Sequence, residues 1–419
     1  MRKGIITLVI AAALSVSAAA DVRIDGFMQG LYGGRLDRSN PTATEQTASE
    51  SRLQMRVEHI GDNGEFFGRL DFVYDGADQP GYDWELREGY LKFRLGDNID
   101  IKAGRQILTW GTGDLIFIND LFAKDYRSFF IGRDDQYLKA PQNAVRIEYY
   151  NPLGSLNLVW TPRFEPNRIP TGRRLSYYSP FDRTIVGSTG DEPEFAAPLP
   201  DSKFENGEFA ARFNRSLAGF NTALYFYKGF YKNPVGAVMV EGNPVPYYPK
   251  LNVYGASARG AVWGGVLWLE GGYYDSRQDQ DGNNPMLPNS SVSGLLGFER
   301  QIATNLTVNA QWQADMIMDY DLYEQGQLAM SMPVRDEVRH LVTSRITKLL
   351  LDENLKLSAF GFYSPTDEDM YLKLVAEYKY TDEITLAAGG NIFDGKSEAT
   401  DFGQFQKNDN IYMKLTYGF

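Results

Sequence analysis

Cysteine is absent from the sequence, and histidine occurs only twice among its 419 residues. Without cysteine the chain forms no disulfide, no thiolate metal site and no covalent haem attachment. His59 and His340 both fall in strand-like segments, and neither lies near a Gly-x-Ser-x-Gly turn that would carry a nucleophile. We therefore expect no enzyme activity, no cofactor and no metal site. The net charge of -12 also argues against a nucleic-acid partner.

Long hydrophobic runs are also missing after the first twenty residues, so we expect no membrane-spanning helix. Residues 1–20 begin with a basic pair, continue with an apolar run and end in small residues. This order is typical of a secretory signal peptide that is removed after export by the Sec pathway. We predict cleavage before Asp21 and a single domain over residues 21–419.

The chain is rich in segments that alternate between apolar and polar residues with a period of two. At the C-terminus, the apolar parity holds Ile411, Met413, Leu415, Tyr417 and Phe419. Successive side chains of a strand point to opposite faces, so one face suits lipid and the other suits water. A last strand that ends on Phe resembles the assembly signal of Gram-negative outer-membrane barrels. The resemblance implies a location in that membrane, contact with its lipid and lipopolysaccharide, and recognition by the barrel-assembly machinery.

Short and long connections alternate along the chain. Eight short turns, such as residues 151–154 and 263–265, alternate with nine long polar stretches, which predicts 18 strands, or 16 as the alternative. Outer-membrane barrels have short periplasmic turns and longer extracellular loops. The sequence therefore predicts an all-β, transmembrane antiparallel β-barrel that closes by pairing residues 22–36 with 411–419. The facing of residues 85–107 stays open, because a bulge or a start above the lipid band would each explain their mixed parity.

A local motif marks the connection over residues 109–140. It reads Gly104-Arg-Gln-(x)3-Trp-Gly-(x)2-Asp114, followed by Asp120-(x)4-Asp125-Tyr126. The pattern resembles the post-strand motif of large porin-like outer-membrane families of unknown function and, more distantly, of alginate-export barrels. The resemblance is confined to this stretch, and it implies an 18-strand-like porin without naming a substrate.

The same connection is the best candidate for a loop that narrows the barrel. Leu115, Ile118 and Phe122 recur at spacings of three and four, which indicates an apolar helical face. Two arrangements remain open, namely folding into the lumen as a constriction or plug, and packing outside as a lid. The candidate residues are Arg105, Trp110, Asp114, Asp120, Asp125, Arg127 and Arg133.

The polar faces of the predicted strands are notably basic. The pore-lining candidates are Arg52, Arg56, Arg69, Arg146, Arg212, Arg339, Arg345, Lys373, Lys379 and Lys414. Acidic residues such as Asp71 and Glu377 lie near them in same-face register. Two interpretations remain open: a self-neutralising lattice that stiffens a water-filled barrel, or a positive constriction that concentrates anions.

These features predict a porin-like channel for passive diffusion of small hydrophilic solutes, with a weak preference for anions. The alternative is an export or sheath barrel for a periplasmic polymer, a lipid or an electron-transfer partner. Acidic clusters in the long connections leave open whether divalent cations bind there. The transported solute and the oligomeric state also stay open at this point.

Overall fold

The alternating segments of the chain form the wall of a closed antiparallel β-barrel in the computed structural model. The structure describes residues 22–42, 44–61, 64–78, 81–179, 182–188 and 197–419. The predicted signal peptide over residues 1–20 lies outside this part of the chain. Within the described residues, 18 strands form one sheet in which each strand pairs with the next barrel strand along the chain. The predicted fold class and strand number are therefore confirmed.

Strands account for nearly all the regular structure. They are β1 (Val22–Arg35), β2 (Gln46–Gly61), β3 (Gly64–Asp75), β4 (Gly81–Leu95), β5 (Ile99–Ile107), β6 (Pro141–Asn151), β7 (Gly154–Thr161), β8 (Tyr177–Ser179), β9 (Thr184–Val186), β10 (Glu208–Leu217), β11 (Phe220–Phe230), β12 (Gly236–Val240), β13 (Asn243–Tyr247), β14 (Lys250–Val262), β15 (Gly265–Ser276), β16 (Ser291–Ala303), β17 (Leu306–Ile317), β18 (Val338–Leu350), β19 (Leu355–Ser364), β20 (Asp369–Lys379), β21 (Ile384–Gly395) and β22 (Asn410–Gly418). The pairs β8–β9 and β12–β13 are small hairpins outside the barrel sheet.

Helices are short and lie in the connections. They are α1 (Tyr126–Phe129), α2 (Tyr320–Ala329) and the 3-10 helices Asp135–Leu138, Phe204–Asn206 and Gly403–Asn408. In the described ranges, each helix is too short or too polar to span a bilayer.

The first and last strands close the barrel. β1 pairs with β22 from Phe27 opposite Gly418 to Arg35 opposite Asn410. Gly26 and Phe419 extend this ladder, because each backbone N–H donates to the carbonyl of the other at 3.0 Å. The predicted pairing of the two terminal segments is therefore confirmed. Closure leaves neither strand with an open edge that would pair with another chain.

A β-bulge in β4 explains the mixed parity that the sequence left open. Arg69 of β3 pairs with Glu88, and the next residue, Leu70, pairs with Leu86, so Arg87 is the extra residue. The bulge turns the buried Arg87 guanidinium towards the barrel interior, where its Nη2 donates to the carbonyls of Gln136 (3.1 Å) and Lys139 (3.2 Å). Beyond the bulge, alternate residues of β4 are exposed apolar side chains, as expected for an outer face.

Apolar side chains fill one side of the barrel interior. Tyr371 is fully buried and stacks on Phe393 of the neighbouring strand at a centroid distance of 4.7 Å. Phe129 and Phe130, which belong to the connection between β5 and β6, pack edge-on against the same ring. Aromatic pairs in these geometries add stabilisation beyond the area that they bury. This cluster joins the barrel wall to a connection that the wall encloses.

Replacing Tyr371 with alanine tests this packing. Tyr371 is 0% exposed, whereas Tyr363 is 51% exposed on the outer face of the preceding strand. We expect Tyr371→Ala to lower the free energy of unfolding by about 3 kcal/mol, because a buried aromatic leaves a cavity. Tyr363→Ala is the matched control and should have a clearly smaller effect. Urea-induced unfolding of the refolded protein measures both, and equal effects would contradict a packed interior.

Candidate pore interior

The β5–β6 connection, residues 108–140, contacts inward-facing side chains on strands around the whole barrel. It reaches β15 through Thr112, β18 through Asp114 and β2 through Tyr137. It reaches β22 through Asp134, whose carboxylate accepts a hydrogen bond from Lys414. One connection therefore bonds to wall strands that are far apart in the sheet.

The connection is irregular where the sequence indicated a helix. Residues 115–122 form no helical turn, and Leu115 has a left-handed backbone with φ of 59°. Wall side chains accept hydrogen bonds from backbone N–H groups that a helix would pair with its own carbonyls. Gln311 Oε1 accepts from the N–H of Asp114 at 2.7 Å, and Gln142 Oε1 accepts from that of Ala123 at 3.0 Å. The prediction of a helical face was wrong because these distant partners compete with local hydrogen bonds.

Glu270 of β15 is the most heavily used of these wall acceptors. Its carboxylate accepts from the N–H and hydroxyl of Thr112 at 2.5 and 2.8 Å. It also accepts from the N–H and side-chain amide of Asn119 at 2.8 and 3.0 Å. Gly111 passes so close, with φ of 81°, that an added Cβ would lie 2.8 Å from Glu270 Oε1. Sequence reasoning missed Glu270, although its inward parity in β15 was a usable signal.

A second buried carboxylate, Glu50 of β2, binds two different connections. Arg133 Nε donates to its oxygens at 3.0 and 2.9 Å, and Arg174 Nη1 donates at 3.1 Å. Arg52 of the same strand lies 3.4 Å away. Arg174 precedes β8, so this one side chain holds both the β5–β6 connection and the segment after β7. Glu50 and Arg174 were not among the predicted site residues.

The tip of the β5–β6 connection carries two acidic residues to the opposite wall. Gly132, with φ of 88°, lies against the Tyr412 ring, where an added Cβ would be 2.4 Å from a ring atom. Beyond it, Asp134 pairs with Lys414, and Asp135 pairs with Lys373 at 2.5 Å. These residues line a cavity of about 230 Å³. We call residues 132–135 the acidic tip.

The ten predicted pore-lining residues all lie on the inward faces of their strands. Nine of them pair with carboxylates of described residues. The pairs are Arg52–Asp71, Arg56–Asp25, Arg69–Glu88, Arg146–Glu148, Arg339–Asp367, Arg345–Asp114, Lys373–Asp135, Lys379–Asp382 and Lys414–Asp134. Arg212 is the exception, because its guanidinium bonds to the Asn214 amide and has no carboxylate partner in the described part of the chain.

The predicted loop residues other than Arg105 separate into two groups. Asp114 and Arg133 bind the wall, through Arg345 at 2.7 Å and through Glu50. Others stabilise the connection or join it to residues beyond β7. These are Trp110 on Phe122, Asp120 with Lys124, Asp125 with Ser128 and Arg168, and Arg127 with the Arg168 carbonyl.

Arg105 lies apart from the other loop candidates. It shares the outward face of β5 with Ile101, and its Nη1 donates to Glu165 at 3.2 Å. Although Arg105 precedes the connection in the motif, its side chain therefore does not contact the barrel interior.

A second and larger cavity of about 740 Å³ opens near the short turn between β6 and β7. Arg212, Arg259, Asn214 and Tyr225 line it, together with the Gly111–Thr112 backbone of the β5–β6 connection. Arg212 also lies over the Trp110 ring at 6.0 Å. Its lining residues include arginine but neither aspartate nor glutamate.

The two histidines lie away from these cavities. His340 stacks on the half-exposed Trp312 at 5.8 Å, and His59 lies beside Gly61 near a short turn. Across the described ranges, no group of three or more His, Asp or Glu side chains is arranged to hold a metal ion. The absence of enzyme activity stays a prediction.

Neutralising Glu50 tests how strongly it holds the two connections. Glu50→Gln would remove the buried carboxylate that Arg133 and Arg174 share and leave them to share Asp75. We expect a loss of about 3 kcal/mol in unfolding free energy. Glu58→Gln, on the same face of β2, is the matched control. Hydrogen exchange should increase in residues 125–140 and 168–176 of the Glu50 variant alone. Unchanged exchange in both segments would contradict the anchoring role.

Comparisons with known proteins agree with this architecture. Pseudomonas aeruginosa OccD3 (OpdP) shares 13% identity at a TM-score of 0.56, over 96% of this chain and 93% of that chain. Pseudomonas aeruginosa OccK5 (OpdH) shares 10% identity at a TM-score of 0.55, over 95% and 98%. At such low identity, these similarities show the fold alone. A search of the curated proteins finds no match.

The family comparison goes further than the structural one. Residues 12–327 match the family described as "Protein of unknown function (DUF1302)". The resemblance of the sequence to barrel families of unknown function is thereby confirmed. Because the match covers more than half of the sequence, the chain belongs to the DUF1302 family.

Proposed function

We propose that this protein is an outer-membrane channel through which small hydrophilic solutes diffuse passively, with a weak preference for anions. In this proposal, Sec export and removal of residues 1–20 precede insertion by the barrel-assembly machinery. The single observation that carries the proposal is a closed barrel whose outer face is apolar and whose inner face is charged. Such a wall matches lipid outside and water inside.

We propose further that the β5–β6 connection is the constriction of this channel. The support is the set of bonds from Thr112, Asp114 and Asp134 to strands β15, β18 and β22. A charged loop held against opposite walls limits the size of the solutes that pass and sets the local potential.

Passage of small solutes fits the interior better than export of a polymer. An export or sheath barrel needs a wide lumen with little loop mass inside it. Here Phe129, Phe130 and Ile131 of the β5–β6 connection are buried in a cluster with wall residues such as Phe360 and Tyr371. This packing leaves separate cavities beside the connection, the larger of about 740 Å³. A cavity of this size fits small molecules.

Planar-bilayer recording of the purified protein tests the proposed function. We expect discrete conductance steps, and in a KCl gradient a reversal potential that reports modest chloride preference. The reason is that Arg212 and Arg259, which line the larger cavity and form no salt bridge with a carboxylate of the described residues, add positive potential to the interior. Absence of conductance steps would refute the channel, and potassium preference would refute only the anionic preference.

The acidic tip predicts a pH dependence of the conductance. Burial raises the pKa of Asp135, but the ammonium of Lys373, which also donates a hydrogen bond, and Arg345 outweigh burial and hold that pKa below its usual 3.8. A carboxyl with a lowered pKa keeps its ion pairs above the usual value and loses them as the pH falls through the lowered one. Conductance should therefore be constant from pH 7 to 5 and rise only when the pH falls below 3.8.

Two variants check that the rise comes from the connection. Asp135→Asn should increase conductance already at pH 7, because the amide does not pair with Lys373. Deletion of residues 112–138 should increase it most and remove the acidic rise. If the deletion variant conducts like the wild type at pH 7, the connection is not the constriction.

A further inference from the structure

The two interior cavities differ in how their positive charges are balanced. The cavity at the acidic tip is lined by five cations and by three carboxylates, Asp134, Asp135 and Glu377. Three of the cations, Arg345, Lys373 and Lys414, pair with aspartates of the β5–β6 connection, and the other two are Arg133 and Lys356. The larger cavity is lined by Arg212, Arg215 and Arg259 and by no carboxylate. The difference matters because an ion-paired guanidinium has few free N–H donors for a solute. An unpaired guanidinium keeps its donors available.

Arg212 and Arg259 project inward from strands β10 and β14. Arg212 bonds to the Asn214 amide and lies over Trp110, and Arg259 lies over Trp268 at 5.2 Å. Amide and ring contacts position a guanidinium without neutralising its charge. No carboxylate of the described residues forms a salt bridge with either arginine.

The nearby acidic side chains of the wall are already occupied. Glu148, two strands from Arg212, pairs with Arg146 at 2.6 Å and accepts from the Asn157 amide at 2.8 Å. Glu270 lies beneath Gly111 at the edge of this cavity, but Thr112 and Asn119 together donate four hydrogen bonds to it. The carboxylate is therefore turned towards the connection and saturated there. Tyr225 and Ser257, whose hydroxyls lie 2.9 Å apart, complete the lining with neutral polar groups.

We propose that Arg212 and Arg259 form a binding site for a small anion that carries a carboxylate or phosphate group. Guanidinium groups bind both oxyanions through parallel N–H···O bonds. The cavity volume of about 740 Å³ accommodates the body of such a solute beside the Tyr225 ring. The site rests on the proposed channel function, and it names the class of solute that the channel takes.

The position of the site also assigns it a place along the path. Its lining includes Asn151, Pro152 and Leu153 of the short β6–β7 turn, and its other boundary is Gly111–Thr112. The site therefore lies between the β5–β6 connection and the short-turn mouth. A solute that binds there has the constriction on one side and the mouth on the other. Binding must stay weak for the solute to leave, with a dissociation constant on the order of 1 mM.

Calorimetric titration of the full-length mature protein in detergent tests the site. The probes are succinate and inorganic phosphate, and succinamide is the neutral match of succinate. We expect binding of at least one anion at low salt and none of succinamide. Arg212→Gln and Arg259→Gln should each weaken it about tenfold, because a charge-assisted pair is lost. Stronger binding of succinate identifies organic carboxylates as the solutes, and stronger binding of phosphate identifies phosphates.

Arg94→Gln is the matched control. Arg94 also faces inward near the short-turn end, but it pairs with Asp100 at 3.0 Å. It should bind the anions like the wild type, and Arg259→Lys should bind with intermediate strength because it keeps the charge and loses the planar fork. Equal loss in the Arg94 variant, binding of succinamide, or no anion binding by the folded wild type would each overturn the site.

The titration is independent of the channel measurement. It needs neither a membrane nor a current, and heat-modifiable migration in gels verifies folding of each variant. Conductance without anion binding would remove the site and leave the channel. Anion binding without conductance would remove the proposed channel and leave an anion site in the barrel.

Discussion

Two buried carboxylates on the barrel wall determine how the interior is arranged. A buried charge is costly unless ion pairs and hydrogen bonds satisfy it. Glu270 meets this requirement through Thr112 and Asn119, and Glu50 meets it through arginines of two connections. The β5–β6 connection must therefore pass close to both walls, which explains its irregular backbone and its glycines with positive φ. The cavities are the space that this path leaves open.

The same requirement orders the remaining charges of the interior. Most inward cations have a carboxylate partner, so the self-neutralising interpretation describes most of the wall. Arg212 and Arg259 depart from it together, and they line the same cavity. An unpaired guanidinium stays charged, so water or an anion must solvate it. The two interpretations of the basic faces therefore apply to different parts of one barrel.

The strands of the wall were predictable from the sequence because each one is specified by the alternation of its own residues. A period of two assigns each residue to a face, and closure follows once both terminal segments alternate. The bulge at Arg87 was not predictable, since two different placements of β4 give the same parity. Parity also places Glu270 inside the barrel. Parity does not identify Asn119, which is 151 residues away, as the partner of Glu270. Such distant contacts determine the backbone path of the β5–β6 connection.

The failed helix prediction has the same origin. Leu115, Ile118 and Phe122 have helical spacing, yet their apolar surfaces are buried among wall residues without a helix. Local periodicity indicates a helix when the backbone must satisfy its own hydrogen bonds. Inside this barrel, the side chains of Gln311, Gln142 and Glu270 accept those hydrogen bonds instead. Helical spacing of apolar residues therefore indicates a helix in a surface segment, but not in a segment that the barrel encloses.

The anchors of the β5–β6 connection differ in strength, and the difference bears on how the connection would move. At the acidic tip, the Asp134 and Asp135 side chains are 32% and 43% exposed, so solvent screens their ion pairs. The Glu50 side chain is only 2% exposed, and breaking its pairs leaves buried charges. Movement should therefore begin at Asp134 and Asp135 and stop at Arg133, which is bound to Glu50, and at the residues bound to Glu270. Such a movement would widen the smaller cavity and leave the Gly111–Thr112 boundary of the larger one in place.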